Sequence, residues 1–290
     1  MTTADGLRLA VYRIGDRGGI PVILSHGMFS NHRSCMGLAS FLAKQGHECW
    51  IFEWRGHGAS DRPDLPHSFD DVALLDVPAI VESITSRSGR EGVFWVGHSG
   101  GGLILLMWIA RFQRLAARHI KGVVLLASQA TGAATSSRRR RSAILAIDCF
   151  LRWRRTAPGH WFGIGPETES APLVRQWCHW NLKGSFCGVD GFNYEVGVYG
   201  LDLPVLALAG AGDRFIAPAS DCKALATQCG ADADFFICGK QQGFREDYTH
   251  NRLITSRNAR LEIWPLVSSW LLSCERQAEQ PSCAYELQHD

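Results

Sequence analysis

The 290-residue sequence has 46% hydrophobic and 20% charged residues, a globular balance that excludes a largely disordered chain. Its 30 glycines and 11 prolines follow no three-residue period, which excludes a collagen-like helix. The net charge of +2, from 30 basic and 28 acidic residues, is too small to indicate a nucleic-acid-binding protein. A chain of this length can bury a sizeable core without disulfides or metals.

The ten cysteines are spread along the chain without a C-x-x-C pair, and the N-terminal stretch 1–16 lacks a basic segment followed by an apolar one. We therefore expect no secretory signal, and mainly reduced thiols in a cytoplasmic protein. No apolar run reaches the roughly 18 residues that would span a bilayer. The longest run, 103–110, is interpreted as part of a buried helix.

Short apolar or β-branched runs alternate with longer helical patterns along most of the chain. Several of the short runs are apolar on successive residues, as strands covered on both faces are. The alternation predicts a mostly parallel, doubly wound α/β sheet with an antiparallel edge strand at its N-terminus. The predicted strands are 7–14, 21–25, 48–52, 92–96, 122–127, 203–209 and 234–238, and the predicted helices are about 34–45, 70–87, 100–117, 218–228 and 257–273.

This alternation breaks at 129–201, a stretch rich in tryptophan and arginine without a convincing buried strand. We interpret these residues, called the insertion below, as a mainly helical segment over one end of the sheet. The core is then formed by 1–128 and 202–274. The polar, aperiodic tail 275–290 is predicted to be disordered.

The strongest functional signal is the pentapeptide Gly97-His98-Ser99-Gly100-Gly101, which fits the pattern G-x-S-x-G. It follows an apolar strand and precedes a helical run, the setting that a nucleophile elbow requires. In such a turn the serine has a strained backbone, and glycines let the strand and the helix approach closely. Ser99 would lie at the positive N-terminal end of the helix. The alternative is a glycine-rich turn with a chance serine, but the context favours a nucleophile.

A nucleophilic serine needs a base, and the base needs an orienting acid. His250 lies just beyond the last predicted strand and is the candidate base. Asp213 follows strand 203–209, at the carboxyl end where ligand sites of open α/β sheets collect, and is the candidate acid. The alternatives are a solvated loop histidine and a turn or N-cap aspartate. Asp247 and Glu246 are further candidates for the acid.

The chain resembles the α/β-hydrolase superfamily, because the catalytic triad of that family has the same order along the chain as Ser99, Asp213 and His250. The segment Ser25-His26-Gly27-Met28 resembles the family's oxyanion segment after a strand. The segment Arg55-Gly56-His57-Gly58-Ala59-Ser60 resembles its structural turn after a later strand. The resemblance implies the α/β-hydrolase fold, with the insertion as a cap that sets substrate choice.

From this resemblance we expect a serine hydrolase of the esterase or lipase type, which cleaves a carboxylic ester or related acyl bond without a metal or cofactor. The resemblance implies the backbone amides of Met28 and Gly100 as oxyanion donors, and a structural role for His57. Ser99 at the elbow differs from the aspartate of haloalkane dehalogenases and epoxide hydrolases. A carbon–carbon bond hydrolase, an acyltransferase, a perhydrolase and a non-catalytic ligand receptor stay open as alternatives.

Residues 131–160 carry seven arginines against one acidic residue, interleaved with apolar and aromatic side chains. Basic helices with an apolar face are typical of segments at membrane surfaces. The cluster predicts either a solvated surface or attraction to an anionic membrane or substrate. The expected partners are small or lipid-like acyl substrates and, in the second case, an anionic membrane, but no nucleic acid.

Overall fold

The computed structural model describes residues 1–16, 18–135 and 137–279. Its main feature is a seven-stranded sheet in the order β1-β3-β2-β4-β5-β8-β9. All neighbouring pairs are parallel except β1 with β3, so the antiparallel edge strand is confirmed. The strands are β1 (Val11–Ile14), β2 (Val22–Ser25), β3 (Cys49–Phe52), β4 (Val93–His98), β5 (Ile120–Leu126), β6 (Thr156–Pro158), β7 (Thr168–Ser170), β8 (Val205–Gly210) and β9 (Asp234–Cys238).

The central strands are apolar on successive residues because helices cover both faces of the sheet. Every residue of β2, β3, β4 and β8 is buried. Within β4, Trp95 packs into one core cluster, and its neighbours Phe94 and Val96 pack into the other.

Each of the five predicted helices overlaps at least one observed helix, with three differences from the prediction. Phe112 breaks the predicted helix 100–117 although neither glycine nor proline marks the position, and a π-helical turn interrupts the predicted helix 70–87. The helices are α1 (His32–Lys44), α2 (Phe69–Asp71), the π turn Val72–Asp76, α3 (Val77–Ser88), α4 (Gly100–Arg111), α5 (Gln113–His119), α6 (Arg138–Leu151), α7 (Gly159–Phe162), α8 (Ala171–Lys183), α9 (Tyr194–Gly197), α10 (Ala219–Cys229), the 3₁₀ turn Lys240–Gln242, α11 (Arg252–Thr255) and α12 (Ala259–Glu279).

The third difference concerns the predicted tail 275–290. Residues 275–279 continue α12, so the prediction of disorder is wrong for them, and 280–290 lie outside the described residues. The polar composition of this last turn hid its helical character. Within the described part of the chain, no helix is both long and apolar enough to cross a bilayer.

The insertion contains α6, α7, α8 and α9, as a mainly helical segment should. It also contains a two-stranded antiparallel ladder of β6 and β7, which the sequence did not predict because three-residue strands carry too little pattern. Buried polar contacts join the insertion to the core at Asp70. The Asp70 carboxylate accepts hydrogen bonds from Tyr194 Oη at 2.6 Å and Gln176 Nε2 at 2.5 Å.

Candidate functional site

Ser99 occupies the turn between β4 and α4 with φ 55° and ψ −123°, a conformation that costs a non-glycine residue about 1–3 kcal/mol. The neighbouring glycines are required by close packing. A Cβ on Gly97 would lie 2.3 Å from the Gly102 nitrogen, and one on Gly101 would lie 2.4 Å from the Ser25 oxygen. The turn therefore has the geometry of a nucleophile elbow, with the serine at the N-terminus of a helix.

His250 and Asp213 come from loops after the adjacent strands β9 and β8, which brings them together. His250 Nδ1 lies 2.6 Å from Asp213 Oδ2, and Asp213 Oδ1 accepts the Ile216 N–H at 3.1 Å. Burial opposes ionisation of Asp213, but the hydrogen bonds outweigh it and lower the pKa of this carboxyl. An ionised acid thus faces the histidine ring.

The two further candidates for the acid have other partners. Glu246 accepts hydrogen bonds from Arg252 and from Ser256 Oγ. Asp247 Oδ1 accepts the Lys240 N–H at 2.9 Å. The geometry therefore favours Asp213 as the partner of the histidine.

Ser99 and His250 line the same pocket, together with Gly27 and Met28. A Cβ on Gly27 would lie 2.8 Å from Ser99 Cβ, so the predicted oxyanion segment lies directly against the serine. Gly100 opens α4 and is equally crowded, because a Cβ there would lie 3.0 Å from the Trp54 ring. Of the residues that the sequence placed in the site, Ser99, His250 and Met28 line this pocket, Gly100 follows Ser99 in the chain, and Asp213 is joined to it through His250.

Two buried histidines support this pocket as neutral hydrogen-bonding groups. Burial lowers the pKa of His26 to about 3, and its Nδ1–H donates to the Gly27 oxygen at 2.8 Å. Burial and the nearby His250 likewise lower the pKa of His98 to about 3. His98 Nε2–H donates to the His250 backbone oxygen at 3.0 Å. Sequence reasoning did not assign this role to His98, which occupies the first variable position of G-x-S-x-G.

The turn that contains Arg55 and His57 makes buried polar contacts to other parts of the chain. Arg55 is buried and binds the Asp76 carboxylate at 2.7 Å and the Asp5 carboxylate at 2.9 Å. His57 Nε2 lies 3.2 Å from Glu169 of the insertion. No sequence pattern indicated this contact, because the two residues are 112 positions apart in the chain.

The remaining wall of the pocket is apolar and is shared between the core and the insertion. The polar side chains of the lining are those of Ser30, His98, Ser99, His250 and Asn251. A substrate with an apolar portion would be removed from water by the apolar wall while its reacting group meets Ser99. The insertion supplies Ile147, Ile164, Val174 and Trp177, and the core supplies Phe29, Phe215 and Ile216.

The arginines of the insertion fall into two groups. Three of them donate to backbone oxygens: Arg140 to Arg214, Arg141 to Leu182 and Arg155 to Asp64. Their guanidinium groups thus help to fix the insertion. Others, such as Arg138 and Arg139 in the first turn of α6, have exposed side chains.

Comparison with known proteins agrees with this geometry. A family profile described as alpha/beta hydrolase fold matches residues 20–144. Gastric triacylglycerol lipase of Rattus norvegicus is 29% identical over 224 residues, which are 68% of this chain and 56% of the lipase. Non-heme chloroperoxidase of Streptomyces lividans is 26% identical over 238 residues, 74% of this chain and 82% of that protein. The chain spans little more than half the length of the gastric lipase.

Solved structures share the same architecture. An esterase from Exiguobacterium antarcticum aligns with a TM-score of 0.67 at 16% identity, over 93% of this chain and 98% of the esterase. A monoacylglycerol lipase from Paleococcus ferrophilus aligns with a TM-score of 0.64 at 17% identity, over 92% and 99%. At these identities the likeness shows the fold alone. Together with the family profile over residues 20–144, it shows that the chain has the α/β-hydrolase fold.

Proposed function

We propose that the protein is a serine hydrolase that cleaves a carboxylic ester or related acyl bond, with Ser99 as nucleophile, His250 as base and Asp213 as orienting acid. The observation that carries this proposal is the 2.6 Å hydrogen bond between His250 and Asp213, beside a pocket that His250 shares with the strained Ser99. The lipases and esterases among the similar proteins support it.

The proposed reaction follows from the direction of the hydrogen bonds. Because His250 Nδ1–H points at the Asp213 carboxylate, Nε2 is the ring atom left to accept the Ser99 proton. Ser99 Oγ bonds to the substrate carbonyl carbon, and the protonated His250 then gives its proton to the departing alcohol. Water then attacks the acyl carbon while His250 takes a proton from it. The bond from this carbon to Ser99 Oγ breaks, His250 returns the proton to Oγ, and the acid leaves.

The negative charge that develops on the carbonyl oxygen needs fixed donors. We assign this task to the backbone amides of Met28 and Gly100, which belong to the two segments packed against Ser99. Loss of one such donor typically costs about 3–4 kcal/mol of transition-state stabilisation. We further propose that the insertion (129–201) acts as the cap over the core formed by 1–128 and 202–274. Its apolar side chains favour an apolar acyl or alcohol group.

A fluorophosphonate probe tests the nucleophile. The wild-type protein should be labelled, and Ser99→Ala should not be. Ser30→Ala is the matched control, because Ser30 lines the same pocket but its hydroxyl donates to Ser34 Oγ at 2.9 Å. This control should be labelled like the wild type. Equal labelling of Ser99→Ala would remove Ser99 as the nucleophile. A wild type that is neither labelled nor active on a chain-length panel of esters and acyl-CoAs would favour the receptor alternative.

We also propose that the insertion contacts an anionic membrane through the outer face of α6. At 100° per residue, Leu145, Cys149 and Phe150 project within an arc of about 140°, and Trp153 follows two residues after the end of the helix. The side chains of Leu145, Phe150 and Trp153 are 51%, 47% and 87% exposed. An apolar face of this kind is typical of helices at a lipid interface.

Charge on the same helix favours an anionic surface. The exposed Arg138 and Arg139 lie at one end of the outer face. The acid of this helix, Asp148, is neutralised by Arg175 at 2.9 Å. On the opposite side, Ile147 lines the pocket, so one helix joins the proposed membrane contact to the substrate site. The cytoplasmic location stays a prediction from the sequence.

A further inference from the structure

The oxyanion segment, extended from here on to residues 25–31, has an unusual backbone immediately after the proposed donor Met28. Phe29 has φ 60°, in the left-handed region that a bulky residue with a Cβ rarely adopts. Such a conformation persists only where the surrounding structure holds it. The groups that hold Phe29 therefore also set the position of the preceding amide.

These groups come from the insertion. Glu169 Oε2 accepts the Phe29 N–H at 3.3 Å, and the Glu167 N–H donates to the Phe29 oxygen at 3.0 Å. The Asn31 side chain donates to the Glu167 carboxylate at 2.6 Å. Both peptide groups that flank Phe29 are thus fixed by β7 and the residue before it.

Glu169 is completely buried and is itself held from several sides. His57 Nε2 lies 3.2 Å from Oε2, the Ser170 N–H donates to Oε1 at 3.0 Å, and His67 Nε2 lies 3.9 Å from Oε1. Burial opposes ionisation, but the adjacent His57 outweighs it and lowers the pKa of the Glu169 carboxyl. The carboxylate is therefore a charged acceptor in a fixed place.

We propose that Glu169, carried by the insertion, is a positioning residue that orients the oxyanion segment through the Phe29 amide. This inference rests on the proposed function, since it gives Glu169 a task in that reaction. The contact to the oxyanion forms mainly in the transition state, so its disturbance should lower kcat and leave KM nearly unchanged. A misplaced donor should cost about 10- to 100-fold, less than the 10²–10³ lost with a whole donor.

Two conservative substitutions separate positioning from charge balance. Glu169→Gln keeps an acceptor oxygen at the same reach but removes the charge beside His57. Glu169→Asp keeps the charge but withdraws the oxygen from the Phe29 N–H by one methylene. Positioning predicts a kcat within about threefold of wild type for Gln, and about 10- to 100-fold lower for Asp. A purely charge-balancing role predicts the reverse order.

The kinetic measurement is kcat and KM on p-nitrophenyl acetate, alongside hydrogen–deuterium exchange of the peptide covering residues 26–31. Exchange there should be faster in Glu169→Asp than in wild type. Tyr194→Phe is the matched control, because it removes another buried contact between the insertion and the core, away from Ser99. It should change neither kcat nor the exchange of this peptide.

The two readouts keep the outcomes distinct. Unchanged exchange and kcat in Glu169→Asp would overturn the positioning role, as would an equal loss of kcat in Tyr194→Phe. If the wild type cleaves no ester, the proposed hydrolase function fails. In that case faster exchange in Glu169→Asp would still show that Glu169 holds the segment, and unchanged exchange would show that it does not.

Discussion

At the scale of single residues, the site depends on the carboxylate of Asp213, which the fold holds close to the imidazole ring of His250. Asp213 is buried, yet its pKa is lowered because its oxygens accept hydrogen bonds from His250 Nδ1 and from the backbone at Ile216. A carboxylate can only accept, so it selects the His250 tautomer that carries its proton on Nδ1. In this tautomer, Nε2 is the ring atom that can accept a proton.

Replacement of Asp213 by asparagine should remove this selection. The amide can present an N–H to Nδ1 and favour the wrong tautomer, so we expect kcat to fall by up to about 10⁴-fold while the fold is kept. The measurement is turnover of a neutral chromogenic ester, with circular dichroism to verify folding. Asp247→Asn is the matched control, since Asp247 accepts the Lys240 N–H rather than a hydrogen bond from His250. Its kcat should stay within a few fold of the wild-type value. Near-normal turnover of Asp213→Asn would assign the acid elsewhere.

At the scale of elements, α6 and α5 offer a natural comparison. Both helices carry arginines and half-exposed apolar side chains, such as Leu145 on α6 and Leu115 on α5. Only α6 belongs to the insertion and also lines the pocket, through Ile147. If basic helices with exposed apolar side chains bound membranes non-specifically, both helices would contribute to binding. A specific membrane contact would depend on α6 alone.

Neutralising Arg138 and Arg139 to glutamine should weaken binding to vesicles of anionic lipid. Each basic side chain near such a surface contributes about 1 kcal/mol, so the double change should reduce partitioning roughly 30-fold at low salt. Trp153→Ser should reduce it further, because this side chain is 87% exposed. The assay is co-sedimentation at low and high salt. The matched control is the double substitution Arg114→Gln and Arg118→Gln on α5, which should leave partitioning to the vesicles unchanged.

The same experiment decides between the two interpretations of the basic cluster. Turnover of a small neutral ester should be almost unchanged in all these variants, because such a substrate reaches the pocket by diffusion. If the wild type ignores anionic vesicles at low salt, the arginines form a solvated surface and the membrane proposal is wrong.

At the scale of the whole molecule, stability should depend on histidines that are buried uncharged. Burial lowers the pKa of His26 and His98 to about 3 and that of His67 to about 4. In the unfolded chain these rings titrate near 6.5. Between these values the unfolded state binds more protons, so the free energy of unfolding falls as the pH drops below 6.5.

Each net proton lowers the free energy of unfolding by up to about 1.4 kcal/mol per pH unit. Asp76 has the opposite effect. Burial raises its pKa to about 6, so just below pH 6 the folded state binds one proton more readily at this group than the unfolded state does. The net effect should still be a marked loss of stability between pH 6.5 and 4. Urea unfolding at several pH values measures the slope. His26→Gln should reduce it, and the less buried His119→Gln should not; a flat profile for the wild type would contradict the prediction.

Much of this architecture could be predicted from local sequence, and what could not has a common cause. The strands were visible because residues buried on both faces form continuous apolar runs, as in 93–96, and Ser99 was visible because its turn requires adjacent glycines. The break at Phe112 has no local signal. The contact between His57 and Glu169 joins distant parts of the chain through packing alone. Neither feature has a periodic pattern to find.

The burial of the cysteines has a consequence for chemical labelling. Burial raises the pKa of Cys35, Cys49, Cys178 and Cys229 to about 12, so these groups are almost entirely protonated and unreactive thiols at neutral pH. Among the nine cysteines that the structure describes, Cys149 is the exposed one, and it lies on the outer face of α6. Among these nine, a maleimide dye should therefore attach first at this natural position. In a chain whose tenth cysteine, Cys283, is replaced by serine, a dye at Cys149 would report by fluorescence whenever α6 leaves water.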